Sequence, residues 1–170
     1  MISIRRAQLP EAALIADLSR KTFYDTFSGS NSAGDMEIFM REKFSRSQLI
    51  AELLLPSDHF FIAWDGDTPV GYTRLRENNN PPELEGYQTI EIARLYAVKE
   101  AIGTGVGKAL MQNSLDFGRE LNKKFAWLGV WEHNETAIRF YKKWGFEQFS
   151  QHPFVLGNDV QNDWLMKKQL

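Results

Sequence analysis

Three glycines set two residues apart, in Gly103-Thr104-Gly105-Val106-Gly107-Lys108, carry the plainest chemical signal in the chain. Before them runs Glu91-Ile-Ala-Arg-Leu-Tyr-Ala-Val98, which reads as a strand. After them Val106, Leu110, Ser114, Phe117 and Leu121 fall on one stripe of a helix. Strand, glycine turn and helix, in that order, bring backbone N–H groups and the positive end of a helix against an anion, phosphate above all. A P-loop needs glycine at position 102 and a hydroxyl after the lysine, where Ile102 and Ala109 stand. A dinucleotide fingerprint needs a third glycine at the place of Lys108, although Glu132 is loosely placed as its ribose acid. The plain alternative is that the glycines only let a helix pack closely on a strand.

Other side chains narrow the chemistry. There is no cysteine, which removes disulfides, a thiol nucleophile and any thiolate metal site. His59, His133 and His152 are scattered without ligand spacing, so no metal is expected. No Ser/His/Asp arrangement is visible. Asn134 opens a helical segment, and Tyr141 lies seven residues on, two turns along nearly the same face. By spacing alone Asn134 is an N-cap and Tyr141 a core aromatic. Glu91, Asp25 and Glu132 are the acids placed to assist a proton transfer, each with a solvated surface role as the plain alternative.

These residues need elements to hold them. Ile2 and Ile4 alternate as in a half-buried strand, and a helix starts near Pro10 with an apolar side that continues to Phe23. Asp35 is placed to cap a helix through Met40, and Ser45 or Ser47 another through Leu55. His59–Trp64 and Pro69–Leu75 form a hairpin about Asp65-Gly66. Lys124–Trp131 is apolar on both faces, as a covered parallel strand would be. A helix from Glu135 to Trp144 ends at Gly145, and two strands about Gly157-Asn158-Asp159 close the chain. The order condenses to β-α-α-β-β-β-α-β-α-β-β, a mixed α/β sheet with helices on both faces.

Bulk properties fit one domain of 170 residues, with 43% hydrophobic and 25% charged residues. A net charge of −2 without a basic block argues against nucleic acid as the main partner. No apolar run reaches the roughly 20 residues of a membrane span. Met1–Arg6 has no apolar leader core, so a cytoplasmic setting is expected.

The stretch Trp127-Leu-Gly-Val-Trp-Glu-His-Asn-Glu-Thr-Ala-Ile-Arg-Phe-Tyr-Lys-Lys-Trp-Gly-Phe146 resembles motif B of the GNAT superfamily of N-acetyltransferases, and the strand with its glycine turn resembles motif A. Gly105 and Gly107 fill the two glycine positions, while Ile102 stands where that family prefers Gln or Arg. The resemblance implies a single GNAT domain with a mixed, mostly antiparallel sheet and splayed central strands. It implies acetyl-CoA as co-substrate, with Gly103, Thr104, Gly105, Val106, Gly107 and Lys108 around the pyrophosphate. Leu95, Tyr96, Ala97 and Val98 would meet the pantetheine arm, and an N–H near Leu95 or Tyr96 would polarise the acetyl carbonyl. Asn134 would bond the same arm, Lys142 and Lys143 would meet the 3′-phosphate, and Tyr141 would supply a proton to the departing thiolate.

Thr22-Phe-Tyr-Asp-Thr-Phe27, Trp127–Glu132 and Phe140–Lys143 also look like the PaiA-type spermidine/spermine acetyltransferases, which carry a second strand acid where this chain has Ala93. That implies a small-molecule amine acceptor, a polyamine first, against Phe23, Asp25 and Phe27, with Glu91 as the acid nearest the chemistry. An amino sugar, an amino acid or a protein N-terminus is the alternative acceptor. A non-catalytic acyl-CoA-binding regulator is the alternative function. A monomer or homodimer is expected.

Overall fold

The computed structural model describes residues 1–170. Strand β1 (Ile2–Arg6) leads through one 3-10 turn at Pro10 into helix α1 (Ala12–Phe27). Two shorter helices follow, α2 (Ala33–Glu42) and α3 (Arg46–Glu52), so all three helices marked by their caps are present, one more than the condensed element order counted. The cap of α2 is Ser32, whose oxygen accepts the Asp35 N–H at 3.1 Å, which puts Asp35 inside the first turn. Ser45 caps α3 in a reciprocal box with Gln48. Then come β2 (Asp58–Asp65), β3 (Thr68–Glu77), β4 (Thr89–Ala97), α4 (Val106–Glu120), β5 (Phe125–Trp131), α5 (Glu135–Lys143), β6 (Glu147–Leu156) and β7 (Asp159–Gln169).

The seven strands form one sheet in the order β1-β2-β3-β4-β5-β7-β6. Every neighbouring pair is antiparallel except β4 and β5, which run parallel as the doubly apolar β5 required. That parallel pairing is short. Thr89, Ile90 and Glu91 face Phe125, Ala126 and Trp127, and then the two strands part. At the same level β4 carries a bulge: Leu75 pairs with Ile92 and Arg74 with Arg94, leaving Ala93 unopposed. The extra residue bends β4 away from β5. A wedge-shaped gap therefore opens in the middle of an otherwise continuous sheet.

Helices cover both faces. Met111 and Leu115 of α4 and Ile138 of α5 pack on Ile90, Ala126, Leu128 and Met166. On the other face Ile15 and Leu18 of α1 lie on Phe60, Ile62 and Tyr72, while Phe23, Phe39 and Phe44 stack together under α2 and α3. Each such side chain, fully buried, contributes about 1.5–3 kcal/mol. A buried charge cluster ties α3 to the sheet. Arg74 and Arg94 are opposed across β3 and β4, where like charges repel. Glu52 of α3 bridges them at 3.1 Å and 2.5 Å, and Asp58 takes the other side of Arg74 at 2.5 Å.

Helix α5 ends as its sequence requires. Gly145 adopts φ +89°. Its N–H bonds Lys142 C=O at 3.0 Å, and Phe146 N–H bonds Tyr141 C=O at 3.1 Å. This is a Schellman ending, and its apolar contact is made by the rings of Phe146 and Tyr141, 6.0 Å apart.

One glycine fixes how closely α4 approaches the sheet. A Cβ on Gly71 would lie 2.7 Å from Tyr96 O and 2.8 Å from Val106 Cγ1. Gly71→Ala must therefore push the first turn of α4 off β3. We expect a loss of about 1–3 kcal/mol in urea unfolding, the range for overpacking a filled core, together with weaker binding at the first turn of α4. Unchanged stability would show that the turn is free to move.

Candidate active site

The gap between β4 and β5 is the floor of a cleft of about 920 Å³ that passes through the molecule's centre. One end lies at the start of α4. Gly103 and Gly105 hold φ values of +85° and +96°, which L side chains rarely adopt. Thr104 closes the turn, its N–H and hydroxyl both donating to Ala101 C=O at 3.2 Å and 2.6 Å. The N–H groups of Gly103, Gly105, Val106, Gly107 and Lys108 find no acceptor in the protein. Five donors and a helix N-terminus thus converge on one spot, with the exposed Lys108 beside them. That arrangement fits a pyrophosphate. Gly107 is different from the other two, being helical, with room for a side chain 3.7 Å from the Phe140 ring.

The middle of the cleft is backbone. Val98 N–H bonds Val70 C=O at 2.9 Å. Antiparallel bonding alternates, so Tyr96 also turns its main-chain groups to β3, and those of Leu95 and Ala97 face the gap. Of the two residues offered for a carbonyl-polarising N–H, Leu95 is the one with a free direction. Leu95, Tyr96 and Ala97 line the cleft, whereas Val98 and Thr104 do not, and the Val106 side chain is core.

Helix α5 forms the facing wall through Asn134, Ala137, Phe140 and Tyr141. Asn134 is the N-cap, its Oδ1 accepting Ala137 N–H at 3.3 Å, so its amide NH2 remains available to donate. Tyr141 stands two turns on along the same wall, as the spacing predicted. Burial pushes its phenol up to about 12, so it stays protonated throughout the neutral range. The phenol of Tyr96, nearby, is also raised, chiefly by burial.

The other end of the cleft is enclosed by α1, α2 and the β6–β7 hairpin. Phe23, Phe27, Phe39, Phe44 and Phe154 make an aromatic wall. The hairpin is latched to α2, with Asn158 N–H donating to Asp35 at 2.8 Å and Gly157 packed against Asp35 so closely that a Cβ would meet its backbone at 2.5 Å.

Several expected residues stand elsewhere. Asp25 is not in the wall. On a helix, Phe23 and Phe27 share a face and residue 25 points roughly opposite, where Asp25 pairs with Lys21 at 3.4 Å. Glu91 precedes the parting of the strands and is 7% exposed. Arg76 grips it at 2.8 Å and 3.0 Å, and Asn79 adds a bond at 2.8 Å, so it is no free proton acceptor. Glu132 is held by Asn162 at 3.1 Å outside this cleft. Lys143 is exposed and off the wall, and Lys142 lies over the Trp164 ring at 5.8 Å.

Sequence reading passed over Asp163, which the structure brings into the cleft from β7. Burial raises its carboxyl to about 6, partly offset by His152. The available signal was an acid in the middle of a strand, next to Trp164-Leu165-Met166, where acids are depleted. No group of three or more His, Cys, Asp or Glu converges as a metal site would, and no helix is long and apolar enough to cross a membrane.

A strand parted from its parallel neighbour, a donor-rich helix start and a tyrosine on the facing helix thus line one cleft. A model of the acetyltransferase (GNAT) family matches residues 20–146. The chain belongs to that family and is an N-acetyltransferase with acetyl-CoA as co-substrate. It is similar to an uncharacterized N-acetyltransferase in the pepI 3′ region of Lactobacillus delbrueckii subsp. lactis, 39% identical over 171 residues, covering 100% of this chain and 96% of that protein. A spermidine N(1)-acetyltransferase of Thermoplasma acidophilum is 25% identical over 150 residues, covering 86% of this chain and 88% of that protein. The crystal structure of a PaiA N-acetyltransferase from the same organism, in complex with coenzyme A, shares the fold with a TM-score of 0.77 at 22% identity, covering 100% of this chain and 99% of that one.

The glycine turn generates a direct test. Gly105→Asp adds a side chain at φ +96° and a negative charge among five free N–H groups. Acetyl-CoA affinity should fall at least about tenfold, about 1.4 kcal/mol, by calorimetry on the folded variant. Unchanged affinity would remove the turn from the binding site.

Proposed function

We propose that the protein acetylates a primary amine by direct attack within a ternary complex, with no acyl-enzyme. The observation that carries this reading is the parted β4–β5 pair, which leaves Leu95 N–H facing a cleft open to amine at one end and to anion at the other. Bound acetyl-CoA supplies the thioester electrophile. Gly103–Lys108 and Lys108 itself hold the pyrophosphate, and Ala97 with the Asn134 amide holds the arm. Leu95 N–H is aimed where negative charge grows on the acetyl oxygen, an interaction worth most in a dry, fixed site. Tyr141 donates its proton to the leaving sulfur, and the raised phenol keeps that proton in place until it is needed. A chain without cysteine suits a reducing cytoplasm.

Two observations bear on the acceptor. The five phenylalanines favour a cationic chain whose methylenes lie against rings and whose ammonium meets their faces. A polyamine such as spermidine fits that wall, and a relative bearing the name of a spermidine acetyltransferase supports it. Lys43 also lines the wall and has no carboxylate partner, which favours an amine that bears an acid, such as an amino acid or a peptide. Thiol release from acetyl-CoA with spermidine, with free amino acids and with short peptides decides between them. Release with no amine in such a panel would remove the catalytic reading.

Two variants separate the roles. Tyr141→Phe keeps the ring on Phe146 and removes the proton. It should fold normally, bind acetyl-CoA as before and lose about 10²–10⁴ in kcat. A smaller loss than about threefold would return Tyr141 to packing alone. Asp25→Asn, on the outer face of α1, should leave the spermidine KM within about twofold. A large rise there would place the amine outside the aromatic wall.

A further inference from the structure

We propose that Asp163 is the carboxylate that receives the acceptor's ammonium and takes its proton, with Gly129 providing the opening through which the amine reaches it. This rests on the acetyl-transfer reading above and adds to it the residue that handles the amine.

The geometry is specific. Asp163 sits on β7 opposite Trp131 of β5 and His152 of β6. It lies at the level beyond which β4 has left β5, and its side chain stands on the sheet face that lines the cleft. On β5 the residue above it is Gly129. A Cβ there would meet Asp163 Oδ2 at 3.6 Å, Leu165 Cδ2 at 3.7 Å and His152 Nε2 at 4.0 Å. Those are ordinary contacts, so a side chain is tolerated sterically, and its absence leaves the carboxylate uncovered. Every other acid near this cleft is engaged: Glu52 by Arg74 and Arg94, Asp58 by Arg74, and Glu91 by Arg76 and Asn79. The Asp163 carboxylate, by contrast, has no hydrogen-bond or salt-bridge partner in the protein, its ladder contacts being made by the main chain.

A half-buried carboxylate without a partner is costly to the fold, and its titration responds accordingly, with the carboxyl raised to about 6 by burial. The groups that face it are His152 from β6 and the phenol of Tyr96 from β4; β5 contributes the uncharged Gly129 and Trp131, and Tyr141 of α5 lines the same cleft. An ammonium is the ligand that supplies the missing counter-charge. Above pH 6 the ionised group attracts the ammonium and accepts one proton, which passes to water. The neutral amine then forms the C–N bond as the C–S bond breaks. Its second proton leaves nitrogen through water and replaces the one that Tyr141 delivers to sulfur, so the phenol is restored and the products are amide, free thiol and the one proton released at the start.

The test is Asp163→Asn, which preserves shape and removes charge. With an amine that the wild type turns over, the variant should lose about a hundredfold or more in kcat/KM while its acetyl-CoA affinity by calorimetry holds within about twofold. Wild-type kcat/KM should fall as pH drops through about 6, and the variant should lack that limb. Its melting temperature at pH 8 should stay level or rise, because an unpaired charge has been removed. Gly129→Val, which roofs the carboxylate, should raise the amine KM at least about tenfold and spare acetyl-CoA binding. Activity within about threefold of wild type in Asp163→Asn, with the acid limb intact, would overturn this assignment and leave acetyl transfer standing. Failure of the wild type to release thiol with any amine would overturn both.

Discussion

Main-chain N–H and C=O groups that leave a sheet must find partners elsewhere, because each one buried and unpaired costs about 1–3 kcal/mol. The parting of β4 from β5 after Glu91 and Trp127 creates a row of them in the middle of the protein. Much else in the structure accommodates that row. The bulge at Ala93 turns β4 aside, Gly71 lets α4 close over the outer side of the strand, and α5 walls the gap. The gap stays lined with polar backbone in an otherwise apolar interior, so it is a place where an extended amide-bearing arm can stand in for a missing strand.

Charge along the cleft is sorted by pairing. Arg74, Arg76 and Arg94 all reach its wall, yet Glu52, Asp58 and Glu91 neutralise them. What remains unpaired is positive at the start of α4, where Lys108 and free N–H groups meet, and negative at Asp163, with Lys43 near the aromatic wall. A low-dielectric cleft magnifies such residual charge. The charges left unpaired therefore dominate the field along the channel.

Local signals in the sequence carried most of the fold. The glycine turn, the doubly apolar β5, the hairpin at Gly66 and the ending at Gly145 each depend on a few adjacent residues, and each formed as read. The spacing of Asn134 and Tyr141 likewise put both on one wall. Three features depended on contacts distant in sequence and were not legible. Asp25 looked like part of an aromatic motif, but helical rotation turns it away from Phe23 and Phe27. Glu91 looked free until Arg76, fifteen residues earlier, was seen to hold it. Asp163 acquires its environment from β4 and β5, two strands well before it in the chain, which no local pattern in β7 records.

The ending of α5 has a consequence for motion. The final turn of a helix commonly frays, since its carbonyls lack partners. Tyr141 occupies that turn, yet its own carbonyl is fastened by Phe146 N–H and its ring rests on the Phe146 ring. The residue that terminates the helix therefore also damps the phenol. The ring therefore has little orientational freedom to lose, and whatever the phenol meets in the cleft meets it already aimed.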